Sequence, residues 1–165
     1  MSRLSFFIAC MILFGSAQMP STTDWRGLAP LKSTRMDVER TLGPPGKNME
    51  NQLLIYYFPD MVVTFNFSSN PKCRQKLPYT SWDVTSDTVT AIDVNLRHSR
   101  SVEDTGVDLT KFKKTPGDYD VIGHYYYWNS DGDFGIEVNN NHVKGYLYRF
   151  GIKHKNLRCE PVSQR

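Results

Sequence analysis

Residues 121–150 constrain the fold more than any other stretch, because three apolar and aromatic runs crowd into them with only short polar breaks. The runs 121–128, 134–138 and 142–150 have strand length, and their Tyr, Val, Phe and Ile suit a half-buried pleated surface. Asn140-Asn141 fits a type I′ turn, since Asn tolerates positive φ. That turn pairs Asn139 with His142, Val138 with Val143 and Glu137 with Lys144. Continued without interruption, it sets Ile136 across from Gly145 and Phe134 across from Leu147. The loop Asn129-Ser130-Asp131-Gly132-Asp133 brings Trp128 beside Phe134. The expected core face is then Tyr126, Trp128, Phe134, Ile136, Val138, Val143 and Leu147. The other face holds Tyr125, Tyr127, Glu137, Lys144, Tyr146 and Tyr148, with Glu137 and Lys144 as a cross-strand ion pair. Tyr125, Tyr127, Tyr146 and Tyr148 form the candidate binding face, because aromatic rings with polar tips suit protein or sugar partners. The plainer reading is that tyrosines are good strand residues, shading a sheet from water or lying under a helix or loop.

The first half repeats this pattern in outline. Strands are expected at 53–58, 61–67 and 88–96, where Met61, Val63, Phe65 and Phe67, then Ile92, Val94 and Leu96, alternate. Residues 70–86 are irregular. Residues 97–120 form a charged connection with Gly106, Pro116 and Gly117, and one helical turn is expected near 109–112. A single amphipathic helix is expected within 31–43. Ser33 or Thr34 can cap it, Thr34 and Asp37 fit a capping box, and Gly43 before Pro44-Pro45 stops it. The expected class is α+β, an antiparallel sheet of about six strands in two three-stranded meanders, with one short capped helix.

Arg3 is the only charge before Asp24, and residues 4–14 (LSFFIACMILF) form an apolar run closed by Gly15-Ser16-Ala17. This is the pattern of a secretory signal peptide, assigned to residues 1–17. The run is too short to cross about 30 Å of hydrocarbon as a helix, so no stable membrane span is expected after cleavage. Residues 18–24 are expected to be flexible, and 25–165 to form a single domain. Cys10 lies in a poor context for lipid attachment, behind Phe7-Ile8-Ala9. Export leaves Cys73 and Cys159 as the cysteines of the mature chain. An even pair in an oxidising compartment reads as a disulfide, worth about 4–5 kcal/mol in the chain-entropy model; two free thiols are the alternative.

Composition excludes several classes. With 13% aromatic residues in 165, the chain has material for a core, which argues against disorder. Lys+Arg of 20 against Asp+Glu of 17 leaves a net charge of only +3, too little to name a partner. Export removes nucleic acid from consideration.

No catalytic, cofactor or metal-binding motif emerges. His98, His124, His142 and His154 lack zinc spacing. Asn129 to Asp133 resembles part of a calcium loop but lacks its glycine at position six, and Asn140 stands where Glu is needed. Gly43-Pro44-Pro45-Gly46-Lys47 fails as a P-loop, because helix precedes it and Asn48 follows the lysine. No GxSxG is present. Arg149, Lys153, His154, Lys155 and Arg158 cluster near the end, which is the pattern of a solvated edge or of a site for an acidic partner.

Trp25, Gly27, Pro30, Leu31, Ser33, Thr34, Arg35, Asp37, Val38, Glu39, Leu42 and Gly43, with Leu157-Arg158-Cys159, resemble an uncharacterised family of small exported bacterial proteins. Those read W-x-G-[IL]-x-P-L-x-S-T-R-x-D-V-E-x-x-L-G and end near L-R-C. More distantly, the capped helix ending in Leu-Gly-Pro-Pro is similar to SmpA/OmlA-like (BamE-like) and beta-lactamase-inhibitor-like modules. That resemblance implies a small α+β interaction domain of the envelope or exterior. The expectation is an exported, monomeric, non-catalytic binding module for another envelope or secreted protein. A small secreted hydrolase and an inhibitor of a secreted enzyme are the alternatives.

Overall fold

Helix α1 (Arg35–Leu42) forms where its caps demand it. Thr34 accepts from the Asp37 backbone N–H, and the Asp37 carboxylate accepts from the Thr34 backbone N–H. This reciprocal capping box contributes about 1 kcal/mol. Gly43 closes the helix at φ 79°, a conformation side chains resist, and its N–H donates to the Glu39 carbonyl. Val38 points inward and is fully buried, while Met36 stays exposed.

The computed structural model describes residues 23–49, 52–68, 82–117 and 121–159. The expected signal peptide, most of the expected flexible segment and Cys73 lie outside these residues. Among them run strands β1 (Lys47–Met49), β2 (Leu53–Tyr57), β3 (Met61–Phe67), β4 (Val89–Ser101), β5 (Lys113–Pro116), β6 (His124–Trp128), β7 (Phe134–Asn139) and β8 (His142–Tyr148). They make one antiparallel sheet in the order β1-β2-β3-β4-β8-β7-β6-β5. Each half is thus a four-stranded meander, and the pairing of β4 with β8 joins them back to back.

This corrects the expected class. The fold is mainly β, with eight strands in one sheet and 18% helix, rather than α+β with six strands. The two additional strands are the outermost ones. Lys47-Asn48-Met49 is wholly exposed, and Lys113-Lys114-Thr115-Pro116 nearly so, which is why neither shows apolar alternation. Lysine and proline on such edges discourage pairing with other chains. Between the halves, α2 (Val102–Thr105) and a 3-10 turn (Leu109–Lys111) carry the chain from the centre of the sheet to its far edge.

One sheet face carries the core. Its rows run Leu54–Phe65–Ile92–Tyr148–Phe134 and Tyr56–Val63–Val94–Tyr146–Ile136–Tyr127 across directly paired residues. Trp25, Leu28, Val38 and Val107 join these residues in a single buried cluster, with Leu42, Val102, Leu109 and Phe112 packed against it. Trp25 meets Phe65 edge-on at 5.9 Å between ring centroids, and Tyr56 meets Phe65 the same way at 5.8 Å. The Tyr56 hydroxyl donates to the Gly43 carbonyl and so ties the helix end to the sheet. The opposite, outer face contributes no residue to this cluster, and α1 and α2 pack away from it.

Candidate functional site

The register around β6, β7 and β8 decides which side chains reach the outer face. Asn140 and Asn141 adopt φ 48° and 62°, the type I′ geometry, and pair Asn139 with His142 and Val138 with Val143. The ladder then breaks. Glu137 pairs with Gly145, so Lys144 is the extra residue of a β-bulge and has no cross-strand ion pair with Glu137. Beyond the bulge, Phe134 faces Tyr148 and Ile136 faces Tyr146. On the other hairpin Trp128 pairs with Gly135, not Phe134. A one-residue slip sends every side chain of a strand to the other face.

Tyr125, Tyr127, Tyr146 and Tyr148 therefore do share a face, but it is the face of Phe134, Ile136 and Val138. Tyr148 is fully buried at 5.2 Å from Phe134, and Tyr146 stacks on Phe134 at 6.1 Å. Burial pushes the Tyr148 phenol well above the usual tyrosine range, with Tyr146 and Asp24 adding to the shift. Burial also raises Tyr146, against the opposing influence of Arg100. Tyr127 borders the core, and Tyr125 is capped by the Lys114 ammonium, 3.5 Å from its ring centroid.

Leu147, assigned to the core face from sequence, stands on the outer face instead, and so do Tyr126 and Trp128. With His124 the last two make a row of rings along β6. His124 meets Tyr126 edge-on at 5.1 Å, and Tyr126 meets Trp128 at 6.3 Å. Each ring is seated on its neighbours. Trp128 lies across Gly135, where a Cβ would come within 2.7 Å of the indole. The His124 ring lies against Gly117 in the same way. Its Nε2 lies 2.9 Å from the Glu137 carboxylate on the next strand, which clasps β6 to β7. The row is thus a fixed surface in which Tyr126 and Trp128 are half-buried and His124 is buried beside them.

Three carboxylates on or beside this face are engaged by side chains of their own chain. Asp93 binds Arg149 and accepts from Asn66. Glu137 binds His124. Asp133 accepts from Lys153 Nζ at 2.8 Å and from Asn129 at 2.8 Å. Lys153 thus sits on the carboxylate that a calcium ion would need, and the 129–133 loop is a hydrogen-bonded hairpin connection with Gly132 at φ 69°. Burial opposes ionisation of Asp133, but the Lys153 and Asn129 hydrogen bonds outweigh it and hold the carboxyl below the usual range. A depressed carboxyl stabilises the fold above the unfolded value, near about 3.9, and that stability is lost as pH falls through the folded value. Urea midpoints taken from roughly pH 5 to pH 2 should fall more steeply for the native chain than for Asp133→Asn. Parallel losses in the two proteins would refute this role.

The basic end is therefore partly spent on internal contacts, through Arg149 and Lys153. Cys159 is half-buried after the C-terminal 3-10 helix (Ile152–Leu157), and Cys73 lies outside the described residues. Among the described residues, no group of His, Cys, Asp and Glu could hold a metal ion, and no helix is long and apolar enough to cross a membrane.

No family model, curated protein or solved structure matches the chain. The resemblance carried by Trp25 to Gly43 is thus a likeness of sequence pattern alone.

Proposed function

We propose that this chain is an exported, non-catalytic binding module that docks another envelope or secreted protein on its outer sheet face. The observation that carries the reading is the row His124, Tyr126 and Trp128, held rigid on a face the core does not use. Aromatic side chains dominate the energetics of protein interfaces, and pre-set rings lose little entropy on binding. The binding face is accordingly moved from Tyr125, Tyr127, Tyr146 and Tyr148 to the opposite side of the same strands.

Export rests on the residue 1–17 pattern. The crosslink between Cys73 and Cys159 belongs to the same proposal, supported by the cystine state of Cys159. An enzyme reading would have to start from His124 and Glu137, but their contact closes one strand on its neighbour and packs the ring on Gly117.

Partner capture from an envelope extract tests the reading. Trp128→Ala should weaken capture at least tenfold, as expected for an interface anchor of 2 kcal/mol or roughly more. Tyr125→Ala, on the far face, should leave it unchanged. Equal capture by Trp128→Ala and the native chain would refute the outer face as the docking surface.

A further inference from the structure

A single row of directly paired residues crosses the whole outer face: Lys47, Ile55, Thr64, Asp93, Leu147, Gly135, Trp128 and Lys113. The row begins and ends on a lysine, one on each outermost strand. The second row on this face runs Tyr57, Val62, Asn95, Gly145, Glu137, Tyr126 and Thr115. Its only charge is Glu137, whose carboxylate is in hydrogen-bond contact with the His124 ring. Asp93 is likewise bound to Arg149, and Asp133 at the rim to Lys153. Lys47 and Lys113 have no carboxylate partner among the described residues, and their nearest cross-strand neighbours are Ile55 and Trp128. Arg97, at the β3–β4 end of the face, spends its Nε on the Phe58 carbonyl, which leaves its charge uncompensated by any carboxylate among those residues. The exposed charge at both margins of the face is thus positive, and between the margins lie apolar, aromatic and amide side chains with carboxylates already engaged within the chain.

Building on the binding role proposed above, we infer that the outer face is complementary to an acidic protein surface, with carboxylates meeting Lys47 and Lys113 at its two rims. Seven inter-strand steps separate the two lysine-bearing strands, a span of about 34 Å at ~4.8 Å per step. That is the breadth of a standard protein interface rather than of a small-molecule site. A second copy of this chain is a poor occupant, because face-to-face packing would bring cationic rims together, and like-charge juxtaposition is costly. An anionic membrane is also a poor fit. Lipid surfaces are held by clusters of about 4–8 basic residues, whereas here the cations stand far apart around rings and amides.

The test titrates the isotope-labelled chain with a short poly-L-glutamate peptide and follows backbone amide shifts. Shifts should map to β1, β2, β5 and β6 and fade with added salt, as rim electrostatics do. Lys47→Gln combined with Lys113→Gln should weaken binding roughly tenfold. Both substitutions lie at exposed edge positions, so the fold is retained. Shifts confined to residues 153–158, or binding unchanged in the double variant, would overturn the inference. Binding to phosphatidylglycerol vesicles that the double variant loses would assign the face to lipid and overturn it as well. The partner-capture assay separates the two levels. Capture lost in Trp128→Ala but indifferent to the lysine changes and to salt removes the acidic partner and keeps the docking face. Capture indifferent to Trp128→Ala removes the face itself.

Discussion

Replacing Gly145 with alanine should destabilise the protein by about 3 kcal/mol, the upper end of overpacking costs. Gly145 lies on β8 directly across from Asn95 of β4 and from Glu137 of β7. A Cβ placed there would press into the Val94 carbonyl oxygen, well inside van der Waals contact. That atom belongs to the backbone of the neighbouring strand, so no side-chain rotation relieves the clash. The strand must move, and it is the strand that joins the two meanders. For a domain of this size the loss corresponds to roughly 10 °C in melting temperature. Gly132→Ala is the control. Gly132 has φ 69° but open space around its missing side chain, so its substitution carries only the left-handed penalty of about 1–2 kcal/mol. A Gly145→Ala chain that melts with the control would show that the seam is looser than its geometry.

The second large effect separates the two tyrosine faces. Tyr148→Ala should cost about 4 kcal/mol, because it removes a fully buried ring from between Ile92 and Phe134. Tyr126→Ala should cost less than about 1 kcal/mol, since that ring is half-buried on the outer face and leaves no closed cavity. Denaturant unfolding of both variants measures the difference. A reversed order, with Tyr126 the costlier, would restore the face assignment expected from uninterrupted pairing and remove the basis for docking at Trp128.

The helix was legible because its signals are local. Thr34, Asp37 and Gly43 act on backbone groups within a turn of themselves, so their meaning survives any tertiary arrangement. Six of the strands were legible through alternation, and the Asn140-Asn141 turn through its backbone demand. The outer strands were not, because an edge strand facing water on most sides has no apolar pattern to show. The faces of β6 and β8 were misassigned for a different reason. Alternation tells which residues share a side, but not which side is covered. One extra residue at Lys144 and one step of slip at Trp128 exchanged them. Gly145 next to the bulge and Gly135 under the indole were the available hints, since a glycine inside a strand often marks a bulge or a close approach. Alternation put Tyr126 and Trp128 on one side of β6 but could not show that this side faces away from the core, because that depends on the slip.

The back-to-back joining of the meanders also sets the order in which the sheet can assemble. Every strand pair except β4 with β8 connects neighbours in sequence, through hairpins or short loops apart from the longer connection 68–88 between β3 and β4. The second meander can zip from its own short turns at low loop-closure cost, while the first must also close residues 68–88. The central pair closes only after the whole second meander has been brought round, so that closure carries the greatest chain entropy of any contact in the sheet. Late closure at the centre leaves β4 and β8 as transient open edges during folding, and a nascent chain is most exposed there to capture by another copy of itself.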